Sequence, residues 1–228
     1  MKKEHNFDVI LAAGGSGTRF GGEQNKIFAD LKGKTVLWHS LALFGSFPGV
    51  KRMVIPCRPK DKKAIETLVK EWETARRKEA KAVVDPEVIL VEGGKERQDS
   101  VYQALQHCRE DWVLIHDGAR PFATHTMIED CLKALKKYPA VTTGVLSKDT
   151  IKLVNGNMEV ESTTDRSRSY LVQTPQGFWR KELAQAHEQF KGEAFTDDCS
   201  LLERIGHKVK IVPGAYENIK ITTPEDLE

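Results

Sequence analysis

Residues 7–22 read Phe7-Asp8-Val9-Ile10-Leu11-Ala12-Ala13-Gly14-Gly15-Ser16-Gly17-Thr18-Arg19-Phe20-Gly21-Gly22. An apolar run of strand length, Phe7 to Ala12, breaks abruptly into glycine and small polar residues. That pattern reads as a buried first strand followed by a loop whose glycines expose backbone N–H groups to phosphate oxygens. Arg19 and, seven residues later, Lys26 add two cations to the same segment. A G-x-G-x-x-G dinucleotide fingerprint starting at Gly15 fails, because its last glycine falls on Phe20. Gly33-Lys34-Thr35 resembles the end of a P-loop, but the upstream glycine that loop requires falls on Phe28.

Working outward, short apolar runs alternate with longer amphipathic stretches, the pattern of β-α-β units around a mostly parallel sheet. Helix is expected over 35–44, with Leu37, Leu41 and Phe44 on one face, and a second strand over 51–56. A long charged helix capped by Asp61 runs to about Lys81, with Ile65, Leu68, Val69 and Trp72 inward. Strands follow over 88–91, 112–116 and 140–146, with helices over 101–108 and 126–137 between them. The stretch 149–173 alternates, carries the turn Asn155-Gly156-Asn157, and reads as a β-hairpin arm leaving the main sheet. Helices over 181–190 and 198–205, a strand over 209–212 and a strand-like Asn218-Ile219-Lys220-Ile221 complete the chain. Thr196-Asp197-Asp198 reads as a helix cap with an acidic first turn. No internal repeat or linker divides residues 1–228, so a single domain carrying an arm is expected.

Composition bounds the function. The chain has 228 residues, 39% hydrophobic and 30% charged, with 17 Gly and 9 Pro, which excludes disordered and collagen-like classes. A net charge of +2 is far from the imbalance that drives nonspecific nucleic-acid binding, so any anion site must be local. Cys57, Cys108, Cys131 and Cys199 are widely spaced and read as reduced, packed thiols. The apolar stretch Val9 to Ala13 is too short for a signal peptide or a membrane span, and a cytoplasmic protein is expected.

In an open α/β sheet, ligands bind beyond the carboxyl ends of the strands. The glycine-rich loop, Gly93-Gly94 with its polar tail, and Asp117-Gly118-Ala119-Arg120-Pro121 each begin where an expected strand ends. They should therefore share one rim. The segment Leu11 to Phe20 with Lys26 resembles the L-A-A-G-x-G-x-R-M…P-K-Q signature of sugar-nucleotide and polyol-phosphate nucleotidyltransferases. Further blocks match in order: 93–101, 116–121, 149–152, Asp165-Arg166, 173–178, 196–198 and 218–227. Across essentially the whole chain they resemble the 2-C-methyl-D-erythritol 4-phosphate cytidylyltransferases, within the polyol-phosphate cytidylyltransferase family. Three departures stand out. Asn25-Lys26-Ile27 replaces Pro-Lys-Gln, Lys95 occupies an often acidic position near the base, and relatives usually extend past Glu228 into a closing helix, expected here to be short or absent.

The resemblance implies a nucleotidyltransferase type A fold: Rossmann-like α/β, a mostly parallel twisted sheet with helices on both faces and a protruding β-arm. It implies CTP and a polyol phosphate as substrates, Mg²⁺ or another divalent cation as cofactor, and a homodimer clasped through the arm. A phosphate monoester is largely dianionic at neutral pH, so such a reaction requires no general base. Arg19 and Lys26 are the implied transition-state stabilisers, and Arg166 and Lys220 position the substrate phosphate. Asp117 would approach the metal and the alcohol hydroxyls, with Arg120 and Thr150 as further substrate contacts. Ala12, Ala13, Gly14, Gly94 and Ser100 would hold CTP. His116 should turn away from the rim by strand alternation. A ribitol-5-phosphate cytidylyltransferase and a catalytically silent nucleotide-binding module remain the alternatives at this point.

Overall fold

The computed structural model describes residues 5–14, 25–78 and 85–227. In chain order these form β1 (Phe7–Ala12), β2 (Asp30–Leu31), β3 (Lys34–Thr35), α1 (Val36–Gly45), β4 (Val50–Cys57) and α2 (Pro59–Lys78). Then come β5 (Glu87–Glu92), α3 (Arg97–Leu105), β6 (Trp112–Asp117), α4 (His125–Leu135) and β7 (Ala140–Leu146). The last elements are β8 (Lys152–Val154), β9 (Val160–Thr163), β10 (Tyr170–Trp179), α5 (Arg180–Gln189), α6 (Asp198–Arg204) and β11 (Val209–Pro213).

Among the described residues, a seven-stranded sheet has the order β11-β7-β10-β6-β1-β4-β5. β1 is parallel to β4 and β6, β4 to β5, and β7 to β11; β10 alone runs against its neighbours β6 and β7. The chain goes out from β1 to β4 and β5, then returns to lay β6 on the other side of β1. The order therefore reverses beside β1, which is where such sheets open a ligand crevice.

Period-two alternation along β1 divides the core. Phe7, Val9 and Leu11 join a layer with Leu37, Leu41 and Phe44 of α1, Ile65 and Trp72 of α2, and Ile128 of α4. Ile10 faces the opposite layer, with Val101 of α3, Leu183 of α5 and Leu201 of α6. Helices thus cover both faces, as expected. α1 and α2 approach so closely that a Cβ on Gly45 would lie 2.2 Å from the Trp72 ring, and only glycine admits that contact. All four cysteines are buried and unbridged. No helix among the described residues is long and apolar enough to cross a membrane.

Four expectations need correction. α3 starts at Arg97, not Val101, because Glu96 and Asp99 form a capping box that nucleates the helix one turn earlier. Asp61 is not a cap: α2 begins at Pro59, and the Asp61 carboxylate is 2.7 Å from Arg58 Nε. Residues 218–221 form no strand, since Ile221 N–H makes only a single bond to the Ala119 carbonyl before the chain turns away. The hairpin β8–β9 does stand apart from the main sheet, but the chain from Tyr170 to Trp179 belongs to that sheet as β10. Pro175 and Gly177 mask this strand in the sequence, and the pairing with β7 slips between Gln173 and Gln176 to accommodate the proline.

Candidate active site

The carboxyl ends of β1, β4, β5 and β6 meet along one rim. Ala12 pairs with Asp117, and Gly118 N–H donates to the Ala12 carbonyl at 3.0 Å. On the other side, Ala13 N–H donates to the Pro56 carbonyl and Gly93 N–H to the Cys57 carbonyl at 2.9 Å. Above them opens a cleft of about 530 Å³ whose walls include Ala12, Ala13, Gly14, Lys26, Gly94, Ser100, Asp117 and Lys220. Eight residues singled out in the sequence thus share one concavity. Five basic side chains line it (Lys26, Arg58, Lys95, Arg97 and Lys220) against the acids Glu96 and Asp117. In a molecule of near-neutral net charge, this is a local concentration of positive charge of the kind an anionic ligand requires.

Asp117 is the electrostatic hub. Its carboxylate receives Lys220 Nζ at 2.7 Å, Arg97 Nε at 3.5 Å and Arg120 Nε at 3.8 Å. Burial by itself would favour the neutral acid, but Lys220, Arg97 and Arg120 outweigh it and hold the carboxyl well below the usual range. Arg97 also reaches away from the cleft to Asp198 Oδ2 at 2.6 Å, and Asp198 Oδ1 lies 3.5 Å from His187 Nε2. Burial opposes the guanidinium charge, yet Asp198 and Asp117 together raise its pKa. Arg120 donates to the Asn218 carbonyl at 2.7 Å and stands behind Asp117, outside the lining of the cleft. Burial there lowers its pKa against the attraction of Asp117.

The loop after β5 is built for close backbone approach. Gly94 N–H donates to Ser100 Oγ at 3.0 Å, and the same hydroxyl donates to the Glu96 carbonyl at 3.0 Å. Ser100 therefore shapes the loop as well as lining the cleft. A Cβ on Gly94 would fall 2.1 Å from Asp99 Cβ, so no larger residue fits this turn. His116 is buried and faces away, its Nε2 at 3.0 Å from the Arg120 carbonyl and its Nδ1 at 3.1 Å from Thr174 Oγ1. Burial lowers its pKa to about 4, so it is neutral at pH 7, as a packing residue rather than a base.

Arg19 lies outside the described residues. Arg166 begins an exposed 3-10 turn, Arg166–Arg168, and Thr150 is exposed ahead of β8; neither lines the cleft of its own chain. Three participants escaped the sequence reading: Asn25, Arg58 and Arg97. Arg97 stood within a quoted block and Arg58 directly follows β4, so position at the rim was the available signal. The expected cap with an acidic first turn is present: Asp197 caps α6 by accepting from Ser200 N–H, and Asp198 is the first residue of the helix. Among the described residues, no cluster of three or more His, Cys, Asp or Glu side chains could hold a metal unaided.

A switch-point cleft lined by basic side chains and floored by small residues suits an α/β nucleotidyltransferase. Comparison with known proteins narrows the class. The family model for 2-C-methyl-D-erythritol 4-phosphate cytidylyltransferase (IspD) matches residues 7–228, and the chain belongs to that family. A protein of that name from Bacillus mycoides is 42% identical over 224 residues, covering 97% of this chain and 94% of the relative. A counterpart from Geobacillus kaustophilus is 40% identical over 225 residues, with the same coverage. The crystal structure of 4-diphosphocytidyl-2C-methyl-D-erythritol synthase from Anaerococcus prevotii superimposes with a TM-score of 0.82 at 30% identity, over 98% of this chain and 95% of that one. The Thermus thermophilus 2-C-methyl-D-erythritol 4-phosphate cytidylyltransferase gives 0.72 at 27% identity, over 98% and 96%. The chain is a cytidylyltransferase of the mostly parallel α/β type.

Proposed function

We propose that the chain transfers the cytidylyl group of CTP to 2-C-methyl-D-erythritol 4-phosphate, in non-mevalonate isoprenoid precursor biosynthesis. An oxygen of the phosphate monoester attacks the α-phosphorus of CTP. The new P–O–P bond forms as the α–β bond breaks, giving 4-diphosphocytidyl-2-C-methyl-D-erythritol and pyrophosphate. The observation that carries this reading is the cationic cleft at the switch point in a chain matched to the family from residue 7 to 228. The nucleophile arrives already deprotonated, so the barrier is the meeting of two anions and the charge that gathers on the α-phosphoryl group.

In this reading Lys26 and Arg19 neutralise the phosphoryl oxygens during displacement, and Lys220 with Arg166 holds the substrate phosphate. Gly14, Ala12 and Ala13 let the backbone approach the nucleotide, while Gly94 and Ser100 border the base. Asp117 accepts the alcohol hydroxyls beside Lys220, with Arg120 bracing it; Thr150 reaches substrate from the arm. The donor set suits Mg²⁺ carried by the nucleotide, because one ionised carboxylate plus phosphate oxygens and water is the usual magnesium shell. Asp117 would hold it, and the ion would supply Lewis-acid charge stabilisation at the phosphates. Residues 1–228 act as one domain, in the cytoplasm, as a homodimer in which the arm at about 149–169 brings Arg166 and Thr150 to the partner's cleft. Leu153, Val154, Met158, Val160, Leu171 and Val172 are exposed on and beside the hairpin, which supports a covered apolar face there.

The test is a panel of polyol phosphates incubated with CTP and Mg²⁺, read as pyrophosphate release. Turnover with the methylerythritol phosphate at least about tenfold above that with ribitol 5-phosphate is expected. Preference for ribitol 5-phosphate would overturn the substrate assignment. CTP binding without turnover of any alcohol phosphate would overturn catalysis itself.

A further inference from the structure

Asn25 immediately precedes Lys26 and is 2% exposed. Its Nδ2 donates to the Ala13 carbonyl at 3.0 Å and to Asp61 Oδ2 at 3.0 Å, and its Oδ1 accepts from Ile27 N–H at 3.3 Å. One side chain therefore ties together the residue after β1, the first turn of α2 and the 3-10 turn Lys26–Phe28. Asp61 is 7% exposed and is itself anchored, since the same Oδ2 receives Arg58 Nε at 2.7 Å. The turn closes through Phe28 N–H to the Asn25 carbonyl at 2.9 Å and Ala29 N–H to the Lys26 carbonyl at 3.1 Å. Ile27 anchors it from below, 2% exposed in the core.

We propose that Asn25, clamped by Asp61, is the positioning residue for Lys26, setting where the lysine enters the cleft relative to the backbone of Ala13. This rests on the reading that Lys26 acts on the phosphates. A lysine ammonium is a point charge on a flexible four-carbon stem, so its placement depends on a fixed Cα. Proline, which the related signature carries here, has no side-chain donor and could make neither of the Nδ2 bonds. The chain replaces backbone rigidity with a buried side-chain clamp. Aspartate would not substitute: it would set a second carboxylate against Asp61.

The experiment is a double-mutant cycle on the full chain with Asn25→Ala, Lys26→Ala and the double variant, measuring pyrophosphate release against CTP concentration. Asn25→Ala should lower kcat by roughly 10- to 100-fold, as small misplacements of catalytic groups do, with KM for CTP changed by less than about threefold. The double variant should be no slower than Lys26→Ala alone, because the clamp acts only through the lysine. Amide exchange at Ile27 should accelerate in Asn25→Ala. Losses that multiply in the double variant, or Asn25→Ala within about twofold of wild type, would overturn the proposal. Wild-type turnover in Lys26→Ala would overturn the assignment of Lys26 and this proposal with it, a result read separately from the other two. Should Asn25→Ala not fold, Asn25→Ser, which keeps an acceptor for Ile27 N–H and a single donor, enters the same cycle with the same expected pattern.

Discussion

Replacing Arg97 by alanine tests the electrostatic frame behind the cleft. Asp198 is 1% exposed and takes its short contact from Arg97 at 2.6 Å, while the Arg97 side chain is 32% exposed. Stranding a buried carboxylate costs about 3–5 kcal/mol when its partner is fully buried. Water partly replaces a one-third-exposed guanidinium, so the expected loss is about 2–4 kcal/mol. For a chain of this size that corresponds to a drop in Tm of about 5–15 °C. The pH dependence has a definite sign. In the wild type, burial raises the pKa of Asp198, but Arg97 and His187 overcome this and lower it, so its stabilisation persists above its unfolded value and fades only in strong acid. Without Arg97, burial dominates and the carboxyl favours its neutral form, so the penalty is greatest near neutrality and relaxes as pH falls. Thermal unfolding by circular dichroism near pH 7.5 and near pH 5 should show a deficit that narrows on acidification. A variant melting within about 2 °C of wild type, or a deficit that widens in acid, would refute the reasoning.

Three further outcomes are expected. Lys220→Ala should fold normally, because Arg97 and Arg120 still face Asp117, yet lose roughly 10²–10³ in turnover; a rate above about a tenth of wild type would remove Lys220 from the chemistry. Gly94→Ala, whose new methyl would land 2.1 Å from Asp99 Cβ, should raise KM for CTP about tenfold or more in initial-rate assays, and an unchanged KM would show that the loop does not border the nucleotide. Sedimentation of the wild type at micromolar concentration should give a dimer that Val160→Asp weakens, since that residue is 59% exposed on β9; a monomer in the wild type would defeat the arm's proposed role.

Much of the architecture is local in origin and hence legible. β1 begins and ends as read, because an apolar run bounded by glycine leaves one solution. The inner face of α2 follows from the spacing of Ile65, Leu68, Val69 and Trp72, all buried as read. β10 was hidden, because Pro175 and Gly177 argue against a strand and only the gap between β6 and β7 makes one there. The irregular path of 218–221 was hidden for the converse reason: Ile219 and Ile221 look strand-like, but no neighbouring edge receives them.

The same division holds at the site. Motif and strand ends mark Lys26, Gly94, Asp117 and Lys220 as rim residues, because glycine breaks and charged residues after apolar runs are one-dimensional signals. That Lys220, Arg97 and Arg120 converge on one carboxylate is a property of the sheet order, which sets β6 beside β1 and carries residues 101 positions apart, such as Arg97 and Asp198, within 2.6 Å. Which cation pairs with which acid, and that the Asn25 side chain ties the backbone of Ala13 to Asp61, are settled by distance and burial, and those quantities exist only once the chain has closed.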